Sequence, residues 1–263
     1  ALTANTTGSA NVSVGKDSLK ANTTASNNTG VGYNALTTNT TGENNVAVGL
    51  NALTANTTAS YNTAIGTNSL GANTTGAYGV AVGYDALRLN TTGAYNTALG
   101  YQSLYSNTTA SYNTAIGYVA LAATTTGAQN TANGYEALKT NTTGGSNTAI
   151  GMRALKLNTT GAAHVALGHS ALSANTAGYN TAVGYFSLNA NTTGYGNTAV
   201  GESTMLANTE GYYNTATGRL ALQANTTGDF NTSMGYRSLY TSTTASNNTG
   251  IGAYALNANT TGA

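Results

Sequence analysis

The side chains able to move protons or hold a metal are few in this 263-residue chain. The carboxylates are Asp17, Glu43, Asp85, Glu136, Glu202, Glu210 and Asp229. An enzyme needs an activated nucleophile, an acid/base pair or a metal, and no close carboxylate pair is evident. Asp17, Asp85 and Glu136 share one position of a repeat but lie at least three units apart. A calcium-binding roll would need an Asp in every nonapeptide, and that spacing is absent. His164 and His169 fall within one unit with no third ligand in view. The glycines all follow one periodic pattern, so no phosphate loop is indicated. These residues point to no catalysis, no cofactor and no metal site.

Two other residue classes recur often enough to form surfaces. Tyr61, Tyr78, Tyr95 and Tyr112 stand 17 residues apart, as do Tyr84, Tyr101 and Tyr118. Such rows either stiffen a rod or form a ribbon for a glycan or another surface. Twelve Asn-Thr-Thr triplets, including those at Asn22, Asn56, Asn90, Asn141 and Asn225, are acceptor sequences for N-glycosylation. The same asparagines could instead form a ladder bonding to the turn backbone.

Composition narrows the field of partners. Charged residues make up 6% and the net charge is +1, which offers no basic field for nucleic acid or anionic lipid. There is no Cys or Pro, so no disulfide framework or thiolate metal site exists. No apolar run approaches the ~18 residues of a membrane span.

What must position these residues is a repeat. The Gly of the motif Asn-Thr-Ala-Val-Gly recurs from Gly15 to Gly252, and thirteen of fourteen intervals are 17 residues; only Gly168 to Gly184 is 16. The consensus is N-T-A-V-G-Y-x-A-L-x-A-N-T-T-G-x-Y, numbered here as columns 1 to 17. Such regularity means one short unit stacked along an axis. Seventeen residues are too few for a helix pair, and β-branched residues fill most of columns 2 and 4. The expected fold is an all-β parallel β-solenoid or β-roll of about sixteen 17-residue coils, each with two short strands. Residues 1–263 form one repetitive shaft, expected to be part of a longer chain.

Column 9 is Leu except at Met205, and column 4 is Val, Ile or Leu except at Asn133, Thr217 and Met234. These two columns are the expected interior, with the polar exceptions as local weak points. Column 3, always Ala, Ser or Gly, then faces outward as a small uncharged surface that another sheet could approach closely. Self-association through that surface is the expectation. Regular Thr columns also suggest an ice-binding array, but columns 13 and 14 are adjacent and would point to opposite sides of a strand.

The run N-T-A-[VIL]-G-Y-x-[AS]-L, at Asn96–Leu104, Asn113–Leu121 and Asn180–Leu188, resembles the head repeats of trimeric autotransporter adhesins. It is also similar to the repeat shafts of bacteriophage tail fibres. The resemblance implies a left-handed roll with three chains side by side. It further implies an extracellular place on a cell or virion surface and a non-catalytic role in attachment. The expected partners are copies of this chain, as a trimer or end-to-end fibre, and a host-surface glycan or protein.

Overall fold

The computed structural model describes residues 1–262, which divide at residue 130 into two compact units. Both are parallel β-solenoids, and no helix occurs among the described residues. The first holds β1 (Val12–Val14), β2 (Thr29–Val31), β3 (Val46–Val48), β4 (Thr63–Ile65), β5 (Val80–Val82), β6 (Thr97–Leu99) and β7 (Thr114–Ile116). The second holds β8 (Thr131–Asn133), β9 (Thr148–Ile150), β10 (Val165–Leu167), β11 (Thr181–Val183), β12 (Thr198–Val200), β13 (Thr215–Thr217), β14 (Thr232–Met234) and β15 (Thr249–Ile251). The described residues make about 14 turns, against the sixteen coils expected. Each coil has one three-residue strand, where two short strands were expected.

Within each unit, every strand lies on its sequence neighbour one repeat on. Val46 pairs with Thr63, Ala47 with Ala64 and Val48 with Ile65, and the 16-residue interval is absorbed without loss of register. The rest of the coil stacks as regularly. The Leu36 N–H donates to the Ala52 carbonyl at 3.1 Å, and Leu53 N–H to Ser69 at 3.0 Å. Each rung therefore satisfies the backbone groups of the next, which buried backbone requires.

The Leu column is interior as expected, fully buried from Leu19 to Leu239 with Met205 in line. The strand, however, faces the opposite way. Column 3 is inside, with Ala47, Ala64, Ala81 and Ala98 completely buried. Column 4 is outside: Ile65 is 41% exposed, Ile116 36% and Leu167 44%. The reason is the shallowness of the coil. A Cβ placed on Gly30 of column 3 would lie 3.2 Å from Leu19 Cγ and 2.6 Å from Ser18 Oγ. Beside Ser18 even a methyl is too large, and where column 3 is Ala the buried methyl leaves no room for an isopropyl group beside the Leu, since overpacked cores force off-rotamer side chains and backbone shifts. Two expectations are corrected by this. The Ala column cannot be an intermolecular surface, and Asn133 and Thr217 do not weaken the core because they point outward.

The turns rely on left-handed backbone. Columns 7, 9 and 17 take positive φ in nearly every rung, including Leu87 at 52° and Leu104 at 51°. A bulky residue there is costly, about 1–2 kcal/mol. Burying the Leu side chain returns roughly 1.5–3 kcal/mol, so the column persists. Column 5 is stricter. Gly83 has φ +136°, and a Cβ on it would sit 2.5 Å from the Gly100 carbonyl oxygen of the next rung.

Two substitutions test these turns by chemical denaturation of the full chain. Gly83→Ala is expected to lower stability by about 2 kcal/mol or more, through strain and the carbonyl clash. Ala163→Gly, at an exposed column-17 site with φ 58°, is expected to raise it by up to about 1 kcal/mol.

Candidate functional site

The carboxylates are spread along the coils and mostly neutralised by nearby cations. In column 7, Asp17 pairs with Lys20 at 3.2 Å, Asp85 with Arg88 at 3.2 Å and Glu136 with Lys139 at 2.8 Å. Each cation comes three residues later, in column 10. Glu136 also meets Lys156 at 2.8 Å and Arg153 at 3.3 Å. Its pKa falls to about 2, chiefly through the hydrogen bonds from Lys139 and Lys156. A carboxylate so held stays ionised and is a poor general acid at neutral pH. The sequence carried this signal as an acid followed three positions later by a base. Among the described residues, no group of three His, Asp or Glu is placed to hold a metal.

His164 and His169 have separate environments. His164 replaces the column-1 Asn and is buried, with the Asn180 N–H donating to its Nδ1 at 3.2 Å. Burial pushes its pKa down to about 4, against opposing bonds to the backbone of Asn180 and Ala177. His169 packs at 5.2 Å from the Tyr185 ring and edge-on to Phe186 at 5.3 Å.

The asparagines form the most extensive polar array. Asn56 Nδ2 donates to Asn39 Oδ1 at 2.8 Å and to the Ala59 carbonyl at 2.9 Å. In column 1, Asn62 N–H donates to Asn45 Oδ1 at 2.9 Å, while Asn45 Nδ2 reaches the same Ala59 carbonyl at 2.9 Å. Most column-15 carbonyls thus take two amides, one from the column-12 Asn three residues earlier and one from the column-1 Asn fourteen residues earlier, as at Gly76 and Gly211. Asn22, Asn56, Asn90, Asn141 and Asn225, the glycosylation candidates, are all fully or almost fully buried here. Each donates its Nδ2 to a column-15 carbonyl. A glycan on that nitrogen is incompatible with the packed coil, so the ladder displaces the glycosylation reading.

The ladder shows where it is broken. Ser242 replaces Asn in column 12, and both its Oγ and Asn225 Oδ1 are buried without a partner. At the 16-residue unit the omitted residue belongs to column 14. There Asn175 Nδ2 bonds Ala177, two residues on, at 2.6 Å instead of the usual three. Asn158 Oδ1, next below it in the ladder, is left without a partner.

The tyrosines, read from sequence as either a stiffening stack or a binding ribbon, are brought together and exposed. Tyr61, Tyr78, Tyr95 and Tyr112 stack with centroids 4.9–5.1 Å apart and planes within 4°, each about half exposed. Tyr84, Tyr101 and Tyr118 stack in the same way at 5.4 and 5.2 Å. This geometry changes what the rows offer. Tyr78 and Tyr95 have both ring faces covered by neighbouring rings, so edges and hydroxyls face solvent. A sugar cannot lie flat on these interior rings.

Comparison with protein-family models, with curated proteins and with solved structures returned no match.

Two predictions follow from the polar interior. Ser242→Asn restores a donor to Asn225 Oδ1 and to the Ala245 carbonyl, and should raise the denaturation midpoint by the equivalent of about 1 kcal/mol. Asn56→Ala should cost about 2–3 kcal/mol by leaving Asn39 Oδ1 and its other partners unmatched. The pH dependence has a defined sign. The folded pKa of His164 lies below its ordinary 6.5, so the unfolded chain binds more protons between pH 6.5 and about 4. Its contribution is fully present above pH 6.5 and is lost as pH falls towards 4, by up to about 3 kcal/mol. The part of this slope above pH 4.5, where Glu136 does not yet contribute, should disappear in His164→Asn when denaturation midpoints are compared.

Proposed function

We propose that this chain is the non-catalytic shaft of an extracellular fibre. Its units carry an attachment point away from a cell or virion surface, and copies of the chain associate side by side. The observation that carries the reading is the outward strand face. Columns 2 and 4 of β2 to β7 present Thr or Val beside Val, Ile or Leu, with no charge. Runs of exposed aliphatic side chains on a regular sheet mark association surfaces. A flat uncharged face that repeats at the ~4.8 Å rung spacing is complementary to its own copy. The resemblance to autotransporter heads and tail-fibre shafts supports a trimer. Identical rung-to-rung bonds let length grow with copy number, which suits a spacer.

A second reading uses the same face. Thr in column 2 and Val or Ile in column 4 point the same way along one strand, giving a lattice of hydroxyls and methyls. The adjacency of columns 13 and 14 does not bear on this pair. An ice-binding surface would need that lattice left open to water, and thermal hysteresis in solution would reveal it.

Equilibrium sedimentation distinguishes the two. The shaft reading expects a stable oligomer that the double substitution Val48→Lys and Ile65→Lys dissociates while circular dichroism is unchanged. Ala64→Lys, by contrast, should unfold its coil, because that side chain is interior. A folded monomer at all concentrations contradicts the shaft association.

A further inference from the structure

The first unit contains a recess of about 320 Å³ assembled from three consecutive coils. It lies over two small residues, of which Gly71 is the exceptional one. Column 10 is Gly only at Gly71, where Thr54 precedes it and Arg88 follows, and column 11 is Ala72 below Leu89. The missing side chains leave a hollow bounded by Thr54, Arg88 and Leu89, with Asn51 and Asn68 of column 7 along one wall. None of these residues belongs to the outward strand face.

The wall groups are held in place and still have bonding capacity. Asn34 Nδ2 donates to Asn51 Oδ1 at 3.2 Å, Asn51 to Asn68 at 3.2 Å, and Asn68 to Asp85 Oδ1 at 3.0 Å. A primary amide has two N–H groups and two lone pairs, so this chain leaves one of each on Asn51 and Asn68. Arg88 Nη1 meets both Asp85 oxygens, at 3.4 and 3.2 Å, leaving its Nε and Nη2 hydrogens. Asp85 is almost fully buried, which anchors the guanidinium at the rim. Leu89, 39% exposed, supplies one apolar patch.

Paired donors and acceptors on fixed planar groups suit hydroxyls, each of which donates and accepts. The charge of Arg88 is already balanced by Asp85, so the recess has no net field for an anion. Its volume lies at the lower end of the ~300–1,000 Å³ range of ligand sites, enough for one ring and too little for several. We propose that this recess binds a single neutral sugar unit. Asn51 and Asn68 would bond its hydroxyls, Arg88 would close over its rim, and Leu89 would contact its C–H face. The shaft reading does not depend on this site.

The test is a titration of the full ¹⁵N-labelled chain with glucose, galactose, mannose and N-acetylglucosamine, followed by NMR. Inorganic sulfate serves as the anionic probe. At least one sugar should move the side-chain amide signals of Asn51 and Asn68 and the backbone signals of Gly71, Ala72 and Leu89. Gly71→Thr and Ala72→Leu place in the hollow residue types that columns 10 and 11 carry elsewhere. Both should retain the folded spectrum and weaken binding about tenfold or more. Arg88→Gln should weaken it severalfold. The proposal is overturned if no sugar perturbs these signals, if sulfate alone does, or if the filled variants bind as the parent does.

Discussion

The interior of each coil is too shallow for two large side chains to meet across it. Leu of column 9 occupies the space from one side, so the strand opposite can contribute only Ala, Ser or Gly. That single constraint turns columns 2 and 4 outward and leaves an uncharged face on every strand, aliphatic on most of them. It also accounts for the left-handed Leu: an unfavourable backbone state is held because it directs the one large side chain into the core. The rest of the interior is polar and is made habitable by the asparagine ladders. Two amides converge on most column-15 carbonyls, so the turn opposite the Leu column has few unmet bonds.

The ladders also explain how the array absorbs irregular units. A missing amide orphans an oxygen on its neighbour, as at Asn225 beside Ser242, and strand pairing continues on both sides. The 16-residue unit drops an exposed-column residue and keeps Asn175, while His164 takes the place of a column-1 Asn with its ring nitrogens engaged. In a stacked fold each unit contacts only its neighbours, so a local defect stays local. His164, fully enclosed in the asparagine array, makes that neighbourhood an acid-sensitive part of the second unit, alongside Glu136.

Much of this was legible in the residues. The period, the all-β class, the buried Leu column and the asparagine ladders follow from spacing and residue type. The facing of the strand did not, because neither of its faces carries charge. Alternation then says that columns 3 and 4 oppose each other but not which one is inside, and choosing the larger residue gave the reverse answer. The Leu backbone had no signal either, since Leu is not selected for positive φ. The ion pairs Asp85–Arg88 and Glu136–Lys139 were visible as an acid and a base three residues apart. At the tyrosines, spacing brought the rings together, but only the stacking geometry shows that their faces are covered.

The facing of the strand can be measured directly by methyl NMR of the full chain. Nuclear Overhauser contacts should join the Leu δ-methyls of column 9 to the Ala β-methyls of column 3, as between Leu53 and Ala64, which correspond to Leu19 and Gly30. Contacts from those leucines to Ile65 or Ile116 within the chain should be absent. Strong Leu–Ile contacts with silent Leu–Ala pairs would mean that the aliphatic column fills the core, contradicting the account.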